Sequence, residues 1–176
     1  VGKMLNFEKP LYKITDYVEN KNYGKFELEP LERGFGTTLG NALRRVMLSS
    51  MPGSAIVAVK IDGVMHEFQA VDGIVEDVTT IILNLKNVVV KNNTQDVKIL
   101  KLYADKEGTV TAADIETDSD VEIMNGDQVI ATLAKGGKLD MEFIIANGRG
   151  YVPSSDNKKF VDNEKKGFIP IDALYS

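Results

Sequence analysis

The stretch "LERGFGTTLGNALRRVMLSS", Leu31 to Ser50, decides how the rest of this chain is read. Its glycines Gly34, Gly36 and Gly40 stand at the start of a helix-forming run that contains the pair Arg44-Arg45. A glycine turn leading from a strand into a helix N-terminus is the layout of a phosphate cradle, because the first helical amides point outward unpaired. One reading is therefore a nucleotide-binding enzyme that uses the Gly34/Gly36/Gly40 turn. Three features weigh against it. A dinucleotide-binding turn follows a strand buried on both faces, which reads as a continuous apolar run, whereas "KFELEPLE" alternates with charges and carries Pro30. The glycine spacing has one residue too many, and Asp62, the acid that a ribose would need, sits in a turn dipeptide with no helix after it. The Gly-Lys-Ser/Thr of a Walker loop is missing.

The helix itself says more. Thr37 or Thr38 is a suitable cap, and Pro52-Gly53 stops a helix that runs to about Met51. At about 100° per residue, Leu39, Ala42, Leu43, Val46, Met47 and Ser50 gather on one side as a stripe expected to be buried. The other side carries Asn41, Arg44, Arg45 and, among them, Leu48. A leucine bordered by arginines suits a protein interface, since Arg makes bidentate bonds while Leu fills an apolar pocket on a partner. Single surface leucines are also common, so the pattern alone leaves interface and incidental exposure both open. Gly40 permits close approach of another backbone along one flank, at a helix cost of about 1 kcal/mol relative to Ala.

Working outward, the 176 residues suffice for one generous domain or two small ones, and 43% hydrophobic residues fill an ordinary core. Runs such as "TTIILNL" fall far short of the roughly eighteen apolar residues that span a bilayer, and "VGKMLNFEKP" lacks a signal-peptide core, so no membrane partner is expected. With no cysteine, disulfides, thiolate metal sites and thiol catalysis are excluded, and a cytoplasmic location fits best. A net charge of -5 argues against a surface built for nucleic acid, so any role at DNA is indirect.

Upstream of the glycines, "YGKFELEPLE" alternates Phe26, Leu28 and Pro30 against Lys25, Glu27 and Glu29, the period of a half-buried strand. Downstream, "AIVAVKIDGVMHEFQAV" reads as two strands joined in a hairpin at Asp62-Gly63. In "DGIVEDVTTIILNLKN" the residues Ile74, Val75, Val78, Ile81, Ile82 and Leu85 recur at three and four, which favours a second helix ending near Lys86, with strand the competing reading on its β-branched content. From Val88 onward, "NVVVK", "DVKILKLYA", "TVTAAD", "DVEIM", "QVIATLA" and "KLDMEFIIANG" are strand candidates separated by turn residues. The polar "NGRGYVPSSDNKKFVDNEKKGF" reads as loop, and the final "FIPIDALYS" is apolar enough to suggest a chain cut inside an element.

These residues carry a resemblance. "LEPLERGFGTTLGNALRRVMLSSMPGSAI" resembles the signature region of the bacterial RNA polymerase alpha subunit, N-terminal part. "IDGVMHEF", "DGIVEDVTTIILNLK", "GTVTAADI", "SDVEIMN", "ATLAKGGKLDMEF", "NGRGYVP" and "IPIDALYS" resemble successive motifs of that family in order, so the match covers nearly all of the chain from about Phe7. The resemblance implies an α+β fold in which a mainly antiparallel β domain is inserted into a dimerisation domain. It also implies a non-catalytic subunit that forms a homodimer and scaffolds the beta and beta-prime subunits. By the same resemblance residues 1–52 are the first part of the dimerisation domain and 53–176 the inserted domain. Arg45 and Leu48, with Arg44 and Asn41, match the beta-facing positions; Thr80, Lys86 and Ala173 match beta-prime-facing ones; Phe35, Leu39 and Gly40 belong to the dimer side. Of the beta-prime set, Lys86 has an independent rationale as an exposed helix-end cation. In the family the chain returns after "DALYS" to complete the dimerisation domain and continues to a DNA-binding domain, so this sequence resembles a fragment whose first strand and helix lack their partners. Val1-Gly2-Lys3 before Met4 reads either as a remnant or as family variation.

No cofactor, metal or active site is assigned. His66 in "VMHEFQAV" suits an interface contact or a core hydrogen bond better than catalysis, with no paired nucleophile marked out. Asp118, Asp120 and Glu122 lack the glycine and terminal glutamate of a calcium loop and read as a solvated acidic turn. Arg149, between glycines, suits either a partner contact or a surface loop.

Overall fold

The computed structural model describes residues 9–18, 23–161 and 166–175, and it divides the chain into two compact units, Val1–Arg45 and Val46–Ser176. The fold is α+β, with mostly antiparallel sheets and few helices. The three residues before Met4, and part of the lysine-rich loop at 162–165, lie outside the described residues.

The first unit opens with an antiparallel pair, β1 (Leu11–Val18) and β2 (Tyr23–Glu29), in register from Leu11↔Glu29 to Val18↔Tyr23. The period-two pattern of "YGKFELE" does form a strand, but Phe26 is exposed and only Leu28 is partly buried. β1 escaped the sequence reading, although "LYKITDYV" is rich in the aromatic and β-branched residues that suit a pleated surface. The helix α1 (Phe35–Ser49) begins two residues before Thr37 and ends before Met51. The threonines do not cap it from outside: the Thr38 hydroxyl donates back to Gly34 O at 3.2 Å, and Phe35 N–H closes onto Glu32 O. Gly34 holds a positive φ of 85°, which is why a glycine stands at the turn. The expected burial of the Leu39 to Ser50 stripe is not found. Among the described residues no side chain of α1 is buried, and Leu43, Val46 and Met47 are all exposed. A hydrophobic stripe is a demand for a partner surface, and none among the described residues meets it.

The second unit is built on a four-stranded sheet in the order β11-β3-β9-β5, where β3 is Pro52–Ile61, β5 is Lys98–Ala104, β9 is Leu139–Arg149 and β11 is Ile169–Pro170. β3 and β9 read as near-continuous apolar runs because both their faces are covered. One face packs with Ile81, Ile82 and Leu85 of α2 (Val78–Lys86) around Phe143, Met141 and Val59. A smaller cluster joins Val57, Ala58 and Ile144 to Ala173 and Tyr175. Three short pairs complete the unit: β4 (Val90–Asn92) with β7 (Val121–Ile123), β6 (Gly108–Thr111) with β8 (Val129–Leu133), and β10 (Tyr151–Val152) with β12 (Ala173–Leu174). All six strand candidates after Val88 hold a strand.

Three expectations need correction. The hairpin at Asp62-Gly63 does not form: the turn is there, with Gly63 at φ 80°, but residues after it make no ladder with β3. Both edges of β3 are already taken, by β9 and by β11, so a local return strand has nothing to pair with. Instead the Gln69 side-chain oxygen accepts from the N–H groups of Met65 and His66, and Glu67 O accepts from the Thr79 hydroxyl. The second helix starts at Val78, later than the periodicity suggests, because Asp77 caps it by accepting from Thr80 N–H at 2.8 Å. Ile74 then pairs with Leu133 as an isolated bridge and Val75 is exposed. Finally, the segment read as loop after Val152 contains α3 (Ser154–Asn157) and a tight helical turn at Lys158–Phe160, with Asn157 buried and donating to Ile171 O at 2.7 Å.

Candidate functional site

Helical geometry places Asn41, Arg44, Arg45 and Leu48 along one side of α1, and all four are exposed, Leu48 at 50%. An exposed leucine beside guanidinium groups presents an apolar knob with directional donors around it. Phe35 is exposed too, Leu39 is partly buried, and among the described residues nothing beyond the local helix backbone lies within 4 Å of where a Cβ on Gly40 would stand. Gly36 and Gly40 belong to the helix itself, and the strand before the turn is one arm of an antiparallel hairpin, so the strand–turn–helix geometry of a parallel nucleotide-binding unit is not built.

The structure brings Lys86 and Ala173 close to one residue that the sequence reading passed over. Lys86, in the last turn of α2, pairs with Asp172 at 3.2 Å, and Asp172 precedes Ala173. The Asp172 carboxylate also accepts from Ser154 N–H at 2.7 Å, and the Tyr151 hydroxyl bonds to it. The Ser154 N–H bond chiefly holds the Asp172 carboxyl below its ordinary range, with help from Lys86 and Tyr151 against partial burial. The same bond to Asp172, together with loss of solvent contact, pushes the Tyr151 hydroxyl up. Asp172 therefore ties the end of α2 to β10 and β12. Ala173 is 1% exposed, with its methyl packed in the smaller cluster, while Leu174 beside it is exposed and Asp172 is partly so. Thr80 is exposed in the first turn of α2, at the opposite end from Lys86.

The remaining candidates are accounted for locally. His66 is exposed, and its Nδ1 accepts from Phe68 N–H at 3.2 Å. Asp118 and Asp120 pair with Lys98 at 3.7 and 3.0 Å, and the Asp120 bond chiefly pushes the Lys98 ammonium up. Among the described residues no group of three or more His, Asp or Glu side chains is arranged to hold a metal, and no helix is long and apolar enough to cross a membrane.

Comparison with known proteins bears on these features. A family model described as the RNA polymerase Rpb3/RpoA insert domain matches residues 59–176. The DNA-directed RNA polymerase subunit alpha of Symbiobacterium thermophilum is 53% identical over 173 residues, covering 98% of this chain and 54% of the relative. The subunits of the same name from Oceanobacillus iheyensis and Desulfitobacterium hafniense are 52% and 51% identical over the same length. The chain thus spans about half the length of the curated relatives it matches, at 54% of each. The nucleotide-binding reading of the Gly34 turn gains no support. On this identity and coverage, the chain belongs to the DNA-directed RNA polymerase subunit alpha family.

Proposed function

We propose that this chain acts as a non-catalytic assembly subunit of the cytoplasmic bacterial RNA polymerase, pairing with a second copy and scaffolding the beta and beta-prime subunits. In this reading residues 1–52 begin a dimerisation domain and 53–176 form an inserted domain, with contact to DNA only indirect. The observation that carries it is α1, a helix with an exposed apolar stripe on one side and Leu48 among Asn41, Arg44 and Arg45 on the other. A helix exposed on both sides suits a scaffold that meets two proteins at once. The stripe, with Phe35, Leu39 and Gly40, serves the second copy; the Arg45/Leu48 side serves beta. Thr80, Lys86 and the Asp172–Ala173 corner serve beta-prime.

The test is binding of the beta subunit by full-length alpha carrying Arg45→Ala or Leu48→Ala. Each variant is expected to bind at least about tenfold more weakly while melting at the wild-type temperature, as truncation of an interface anchor does. Unchanged binding and assembly in both would reject the role given to that side of α1.

A further inference from the structure

We propose that the cleft between the start of β3, the end of β4 and the end of β9 receives an acidic segment of the partner polypeptide that meets Leu48; the inference rests on the assembly reading above. The cleft holds about 440 Å³ and is lined by Ser54, Lys91, Asn92, Gln95, Asn147 and Arg149 along with Pro52 and two glycines. Its floor is internally bonded. The Ser54 hydroxyl donates to Asn147 Oδ1 at 2.7 Å and accepts from Asn92 N–H at 2.9 Å, while Asn147 Nδ2 donates to Thr94 O at 2.8 Å. The Asn92 side chain is likewise engaged, with Asp96 O and with Thr94. What remains for a ligand are the exposed Gln95, Lys91 and Arg149, and neither cation makes an ion pair or side-chain hydrogen bond among the described residues.

Among the described residues no acid lines this cleft, in a chain whose net charge is -5. Two unneutralised cations over a fixed polar floor select a carboxylate, with Arg149 able to grip it bidentately. Small-molecule sites are mostly apolar with few polar groups, unlike this one. Two cations on an acidic protein are too few for a nucleic-acid track. Continuity with α1 supplies the partner. The backbone of Ser49 and Leu48 lies against Gly150, where a Cβ would stand 3.1 Å from Ser49 O, and Pro52 pairs with Arg149 across the sheet. Arg149 of the cleft thus adjoins Gly150, against which the backbone of the half-exposed Leu48 lies, so one partner surface can fill the apolar contact and the cationic one together.

The experiment measures beta-subunit affinity of full-length alpha against salt for wild type, Leu48→Ala, Lys91→Glu/Arg149→Glu and the milder Lys91→Gln/Arg149→Gln, with melting curves confirming the fold. The expected result is a loss of roughly tenfold or more in the charge-reversed variant, a smaller loss in the neutral one, and a shallower salt dependence in both, whereas Leu48→Ala weakens binding with the salt slope intact. If Leu48→Ala weakens binding but both charge variants match wild type in affinity and slope, the cleft inference is overturned and the assembly reading stands. If none of the variants weakens binding, both fall. A fluorescein-labelled single-stranded oligonucleotide that binds wild type and is lost in the charge variants, with beta affinity unchanged, would reassign the cleft to nucleic acid and overturn the inference.

Discussion

The two units carry similar apolar patterns and treat them oppositely. In the second, Phe143 is 0% exposed, held between α2 and the sheet, while in the first, Leu43 on an equally regular stripe is 55% exposed. The first unit supplies a two-stranded hairpin and most of one helix, and two strands alone cannot make an interior. The second supplies a sheet whose central strands are flanked on both edges and covered on both faces. Periodicity therefore tells which side of an element seeks cover, and the number of neighbouring elements decides whether cover exists.

The sharpest way to test this contrast is to truncate a side chain in each unit. Phe143→Ala should cost about 3–5 kcal/mol of stability in urea unfolding, because it leaves a cavity in a packed interior. Leu43→Ala in this chain should cost less than about 0.5 kcal/mol. A cost for Leu43→Ala comparable to that of Phe143→Ala would mean that the stripe is buried after all, and the contrast would collapse.

Glycines offer a second, smaller comparison. A Cβ on Gly148 would stand 2.6 Å from the Tyr175 ring, so Gly148→Ala should destabilise by roughly 1–3 kcal/mol through overpacking. Gly40 faces open space within α1, and Gly40→Ala should instead raise helix stability by up to about 1 kcal/mol. The same change should weaken any close helix contact made by a second copy, which sedentary melting curves cannot detect but sedimentation of the full-length protein can. Loss of stability on Gly40→Ala would show that this chain itself packs there.

A modest, pH-dependent effect is expected at Asp172. Asp172→Asn keeps an acceptor for Ser154 N–H but loses the charge that holds Lys86, at a cost of about 1 kcal/mol. The folded carboxyl titrates below its ordinary 3.8, so its contribution is complete above that pH and is lost as the pH falls through the lower folded value. The wild-type advantage over Asp172→Asn should accordingly vanish in acid melts and return on neutralisation. An advantage that is independent of pH would mean that the ion pair at the end of α2 contributes nothing.

Much of the second unit was legible because its signals are local. Turn residues punctuate every strand after Val88, and the β-branched runs between them leave little choice. The failures have separate causes. Asp62-Gly63 has hairpin chemistry, yet β3 pairs instead with β9 and β11, strands far along the chain that a local signal cannot announce. Asp77 interrupts a periodic run with a capping bond, and the helix obeys the cap. On α1 the exposed Leu48 agrees with the helical wheel, while the exposed stripe opposite contradicts it; the wheel ranks sides without knowing what surrounds them. Asp172 gave no sign in the sequence, since its partners Lys86, Ser154 and Tyr151 meet it only through the fold.

By itself the sequence determined the α+β class, the strand-rich second unit, the helix bearing Leu48, and, through its ordered motifs, the family. Only the tertiary structure decided which apolar faces are satisfied, which residue anchors Lys86, and that Lys91 and Arg149 share one cleft. The reason is physical: propensity and periodicity act over a few residues, whereas burial and charge pairing depend on chain segments brought together from far apart.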